Sequence, residues 1–431
     1  MTRPGRYAAL VANAALAVVV AACGGATGDR VNPEQPGWMA RPSGDLHVLF
    51  RRELTMDSRK SGEDYERGRP EIDAANGRVF IGSSDRGLYA LRAFNGSTLW
   101  RYETLGRVQS EPAYDPQLDV VYFGSQDGAL YAVQASDGKL LWRYATGNEV
   151  ARRPVVFGEL LFFTNAADQL FCVDRRTGVK KWEVHQQSAL GMEIGGHSGP
   201  AIDKGLVYVA YSDGHVGCYD MKDGAERWLA DLSADAEQSG APDAQRYLDV
   251  DTTPIVMELQ DVGHVVFAAS YAGGVMAMDA ESGARVWANN QARGVHELTY
   301  WTEPAHTPHP NGNDRGGPPV PAQRTLFAAS STTGLWALDP RDGKAKWRLP
   351  IPEGGLTAPV PVAGALAVGT TRYGLFLISP RDGSVIDGIN LETGFAVTPA
   401  AYGLRIFALS SGGTLLGLGI DPPLGRRDGR L

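Results

Sequence analysis

Positive charge is in the minority in this 431-residue chain: 41 lysines and arginines face 49 aspartates and glutamates, for a net charge of −8. That balance gives no electrostatic reason to expect nucleic acid as a partner. Cysteine is scarce, at three residues, and no two are adjacent, so neither a disulfide framework nor a vicinal-cysteine redox site is available. Beyond residue 22 no apolar run is long enough to span a bilayer. Also missing are an Asp-x-Asp-x-Asp-Gly calcium loop, a Ser-His-Asp arrangement and a glycine loop fit to cradle phosphate. The sequence therefore nominates no catalytic residue, no metal ligand set and no cofactor. What it has in abundance is glycine, 53 residues, with 26 prolines, a turn-rich balance that favours many short strands over long helices.

The first residues form a targeting segment. Arg3 and Arg6 precede the apolar stretch Tyr7 to Ala22, which ends in Val20-Ala21-Ala22-Cys23-Gly24. This resembles a bacterial lipobox, and the resemblance implies cleavage after residue 22 and a lipid on Cys23. No Asp follows the cysteine, which by the same analogy implies the outer membrane, periplasmic face. Residues 23–44, rich in Gly, Pro and polar side chains, read as a flexible tether.

An internal repeat decides the fold. Gly-x-x-x-Trp recurs as Gly96/Trp100, Gly138/Trp142, Gly178/Trp182, Gly224/Trp228, Gly283/Trp287 and Gly343/Trp347, and a seventh copy pairs Gly383 with Asp387. Each glycine closes a tight turn between two strands, and each Trp offers a ring to a neighbouring repeat. Prolines at 70, 112, 154, 200, 254, 304, 359 and 399 keep the same beat. Lacking an N–H, proline suits the start of an edge strand, as the innermost strand of a propeller blade is. Each repeat is then four strands, A to D, in about 40 residues. Eight prolines but seven C–D hairpins predict an eight-bladed β-propeller over residues 45–420, with 421–431 as a tail. Its ring is closed by the N-terminal strand around Leu46 to Arg52, which has Phe50 in the Trp place and serves as strand D of the last blade.

Departures from the beat point to function. The interval from the Trp position to the next marker proline is 12 residues for Trp100 to Pro112, but 18 for Trp182 to Pro200, 26 for Trp228 to Pro254 and 17 for Trp287 to Pro304. These D-to-A connections share one face of the disc, so three consecutive long ones predict a continuous raised patch. It would carry Met192 and Ile194, then Arg246, Tyr247, Asp249 and Asp251, then Glu297 to Trp301, apolar side chains beside carboxylates as in an interface core with a charged rim. The bland alternative is that these residues only tuck their own loops onto the disc. A proline-rich insertion from His306 to Gln323 falls between strands A and B of blade 6, on the opposite face.

On these residues the chain resembles the BamB family, lipoproteins of the outer-membrane β-barrel assembly (BAM) machinery. Asp249-Val250-Asp251-Thr252-Thr253-Pro254 matches a run whose two aspartates contact the POTRA domains of BamA in that family. The resemblance implies a non-enzymatic scaffold in which Asp249 and Asp251 do the same. The family's Leu-x-Leu-Arg-Gly contact loop, anchored here on Ser198-Gly199-Pro200, places Met192 and Ile194 at the leucines and Gly195 at the arginine, so that charge is absent. Two other readings share the fold: a binding module for another envelope complex or a glycan, and, more distantly, a quinone-dependent dehydrogenase, similar in its Gly-x-x-x-Trp turns alone. Cys172 and Cys218 fall where other blades carry alanine, as small buried packing residues, on strands too far apart for an easy disulfide.

Overall fold

The computed structural model describes residues 44–54, 66–186, 198–232, 249–305, 319, 322–350, 354–390 and 393–421. Their regular structure is all strand, arranged as eight four-stranded antiparallel sheets. Blades 1 to 7 are simple meanders covering 71–103, 113–145, 155–185, 201–231, 255–289, 295–349 and 360–389. Blade 8 is composite. Strands Ala400–Tyr402, Arg405–Leu409 and Thr414–Ile420 are completed on the outside by Leu46–Glu53, the closure expected from the strand count.

The packing rule behind the Gly-x-x-x-Trp repeat is a row of three side chains across each blade. Trp182 on strand D lies opposite Cys172 on strand C, which lies opposite Phe162 on strand B. The same row reads Trp100–Ala90–Phe80, Trp142–Ala132–Tyr122, Trp228–Cys218–Tyr208, Trp287–Ala277–Phe267 and Trp347–Ala337–Phe327. A small residue in the middle lets the flanking rings approach to between 5.7 and 6.0 Å, centroid to centroid. Cys172 and Cys218 fill the alanine slot as buried free thiols, so no disulfide links them.

Each Trp also locks its blade to the next. The indole N–H of Trp142 donates to the Arg175 carbonyl at 3.2 Å, and that of Trp182 to Met221 at 3.1 Å. The equivalent bonds run from Trp100 to Ala135, Trp228 to Ala280, Trp287 to Pro340 and Trp347 to Pro380. The acceptors sit in the C–D turn of the following blade, over the turn glycine. Gly178 adopts φ +70°, and a Cβ there would lie 2.7 Å from Trp142 Cε3. Glycine is required twice, by the turn and by the ring stacked on it. Phe50 takes the Trp role across the closure, against Gly96.

Blade 6 departs from the expected register. Its first strand is Val295–Glu303, nine residues where most blades have three, so Glu297 to Trp301 are strand and not a raised loop. The A-strand residue opposite the B-strand aromatic is Ile255 in blade 5 and Thr299 in blade 6. Leu298, not Pro304, therefore holds the marker position. The proline beat at 304 came from the proline-rich insertion that follows this strand. The connection from Asn289 to Val295 is short, so of the three consecutive long D-to-A connections expected only His185 to Ala201 and Asp231 to Ile255 are enlarged, while that from Glu53 to Glu71, across the ring, is long as well.

Candidate functional site

Strands A line the central channel, and the residues just before them ring its mouth on the D-to-A face. Two residues before the marker proline, four blades carry a small hydroxyl that accepts a hydrogen bond from a strand-B amide. Ser110 accepts from Gly124 N at 3.1 Å, Ser198 from Ala210 N at 3.2 Å, Thr252 from Ala269 N and Thr357 from Gly369 N, both at 2.8 Å. Blade 3 has Arg152 at this position. Its side chain, 15% exposed, reaches across the channel to blade 6, where Nη1 lies 2.7 Å from Glu297 Oε1, and the same Nη1 lies 3.5 Å from Glu111 Oε1 of blade 2. Nη2 donates to the Asp251 carbonyl at 3.0 Å. Arg69 pairs with the other oxygen of Glu111 at 3.2 Å, and Arg153 forks onto Glu71. Residues from blades 1, 2, 3, 5 and 6 thus meet in one charge network.

Burial opposes ionisation in this network, and the paired charges outweigh it. Glu111 is held below the ordinary carboxylate range by Arg69, Arg152 and Arg153 despite desolvation. Arg152 is raised against its own burial by Glu297, Glu111 and Asp251. Around the network opens a cavity of about 470 Å3, lined also by Arg67, Gln126, Glu149 and His296. His296 Nε2 bonds the Leu356 carbonyl, while its Nδ1 is buried with no hydrogen-bond partner among the described residues.

The acidic segment singled out in the sequence lies at this mouth. Val250 is buried in the core between blades 4 and 5. Thr252 is sealed, bonding both the amide and the carbonyl of Ala269, and Thr253 Oγ1 accepts from Gly199 N at 3.0 Å. Asp249 is buried, 8% exposed, and Asp251 is half-buried. Of the two aspartates, Asp251 is therefore the one with side-chain surface to offer. Met192, Ile194, Arg246, Tyr247 and the lipidation residue Cys23 lie outside the described residues. Among the described residues no group of three His, Cys, Asp or Glu side chains could hold a metal ion. Arg152 and Glu297 were missed as a pair. The available signal was a large cation in a slot that four other blades fill with Ser or Thr.

Comparison with known proteins places the chain. The family profile described as "Outer membrane protein assembly factor BamB" matches residues 117–348 and 299–421. Among curated proteins of that description, the one from Yersinia pestis is 25% identical over 216 residues, covering 50% of this chain and 42% of its own length. The one from Vibrio cholerae is 31% identical over 229 residues, covering 53% of this chain and 57% of its own length. The chain spans about half the length of the curated relatives it matches. Many solved structures share the fold. BamB from Moraxella catarrhalis superposes with a TM-score of 0.65 at 20% identity, covering 87% of this chain and 100% of that one. A europium-containing methanol dehydrogenase gives 0.62 at 13%, covering 87% and 93%. At such identities the structural likeness speaks for the propeller alone, whereas the profile match runs over most of the chain. The chain belongs to the BamB family of outer-membrane protein assembly factors.

Proposed function

We propose that this propeller is a non-enzymatic scaffold of the outer-membrane β-barrel assembly machinery, docking the POTRA domains of a BamA-like protein and supporting the folding and insertion of outer-membrane proteins. The carrying observation is that Asp251 sits half-buried at the channel mouth, on the face that also bears the enlarged D-to-A connections. Family membership supplies the machinery, and the segment match supplies the partner. Cys23 would anchor the chain by lipid to the periplasmic side of the outer membrane. The closing strand supports a definite orientation. Leu46 enters at the C–D-turn face, so the tether leaves the disc opposite the docking face.

The scaffold reading rests on a rigid disc presenting a preformed site. Affinity capture from solubilised envelope tests it. Wild-type protein should retain BamA, and Asp251→Arg should retain at least about tenfold less, the equivalent of 1.4 kcal/mol. Undiminished capture by the variant would reject the site. Capture of a different envelope protein or a glycan in place of BamA would reject the partner.

A further inference from the structure

We infer that Arg152 is the positioning residue of the docking segment: it reaches over from blade 3 to fix the backbone from which the Asp251 carboxylate is presented. The inference rests on the docking reading above and adds to it a residue that the partner need not touch.

Side-chain contacts, and not a strand ladder, hold the segment at that point. Residues 249–253 belong to no strand, so no ladder of hydrogen bonds sets their conformation. The backbone contacts at the segment's start are long, Val250 N to Tyr211 O at 3.2 Å and Tyr271 N to Asp249 O at 3.3 Å. The firm constraints come at the centre. Thr252 is pinned by two bonds to Ala269, and the peptide oxygen immediately before it, that of Asp251, is taken by Arg152 Nη2 at 3.0 Å. Together these fix the peptide plane between Asp251 and Thr252, and with it the direction in which the Asp251 side chain leaves the backbone.

Arginine suits the task for a geometric reason. Its planar fork donates several N–H groups at fixed angles, so one guanidinium serves the Asp251 carbonyl and the Glu297 and Glu111 carboxylates at once. The two carboxylates hold the cation over the channel, and the cation holds the carbonyl. A lysine carries the charge without the fork. The residue also breaks its own repeat, since the equivalent positions Ser110, Ser198, Thr252 and Thr357 serve only their own blade. Arg152 gives up that local bond to join blade 3 to blades 5 and 6.

The test combines amide hydrogen exchange on the free, full-length protein with binding to purified BamA, for wild type, Arg152→Met, Arg152→Lys and Glu297→Gln. Arg152→Met should accelerate exchange of the amides from Val250 to Thr253 by at least about tenfold, with strands of blades 1 and 8 changing less than about twofold, and should weaken BamA binding by about tenfold. Arg152→Lys, which keeps the charge, should loosen the same amides and fail to restore binding. Should Arg152→Met not fold, Glu297→Gln releases one of the guanidinium's tethers and should give the same local acceleration in weaker form. Unchanged exchange at 250–253 in the variants, or acceleration spread evenly over all blades, would overturn the positioning role. Local loosening with undiminished BamA binding would leave the clamp standing and instead refute the docking reading on which it was built.

Discussion

Asp387 Oδ2 accepts the backbone N–H of Leu46 at 2.8 Å, joining blade 7 to the first residue of the strand that closes the ring. Every other blade receives a bulky ring from its predecessor over a turn glycine. Blade 8 has no C–D turn, because its outer strand comes from the other end of the chain. In place of a turn glycine it offers a strand-end amide, and a carboxylate answers it where the repeat elsewhere has Trp. The change extends inward, since the residue opposite Asp387 is Leu377 where the Trp-bearing blades have Ala or Cys. Replacing Asp387 by Leu should cost about 1–3 kcal/mol, the cost of leaving a buried donor unpaired. Urea unfolding measures the loss, and hydrogen exchange in Leu46–Glu53 should rise before that of other strands. A loss below about 0.5 kcal/mol with unchanged exchange would show that the latch is ornamental.

The two demands on the turn glycines can be separated. Gly178→Ala meets both a positive φ and the Trp142 ring, whereas Gly158→Ala meets a positive φ of 56° with nothing within 4 Å. Gly158→Ala should cost about 1 kcal/mol from backbone strain alone. Gly178→Ala should cost about 1–3 kcal/mol more, the range for overpacking. Equal losses in thermal or urea unfolding would mean that the ring moves aside freely.

Burial pushes the Cys172 and Cys218 thiols up to about 12. At pH 8 the thiolate fraction is then on the order of 10^-4. Neither residue should react with iodoacetamide in the folded protein over hours, and both should react within minutes in urea. Native-state labelling at either position would mean that its blade opens locally.

Glu111 makes stability depend on acid. Its folded pKa lies below the unfolded value of about 4.3, so its contribution is complete above that value and falls away as pH drops toward the folded one. Urea midpoints should show wild type ahead of Glu111→Gln at pH 7, with the gap narrowing as pH is lowered below about 4.3. A gap that stays constant with pH would assign the loss to packing and not to the Arg69 and Arg152 pairs.

Fold class was legible in the sequence because a propeller is written locally. The Gly-x-x-x-Trp spacing, the edge proline and the small residue opposite Trp are each demands of one blade on itself or its immediate neighbour. They survive as a period that can be counted, and so did the closing strand, with Phe50 standing in for Trp. Local reading failed where an insertion imitated the period. Pro304 kept the beat while Leu298 held the structural position, because a proline in a loop and a proline at a strand edge look alike until the pairing register is known.

The site divides in the same way. The chain itself spells out the segment from Asp249 to Pro254. That Asp249 is buried and Asp251 half-buried depends on how blades 4 and 5 pack around Val250, which no spacing encodes. The meeting of Arg152 with Glu297, 145 residues on, was the work of ring closure alone. Short-range periodicity determines what each blade is. Contacts across the channel exist only once eight blades have closed around it, and their partners are chosen by the geometry of the circle.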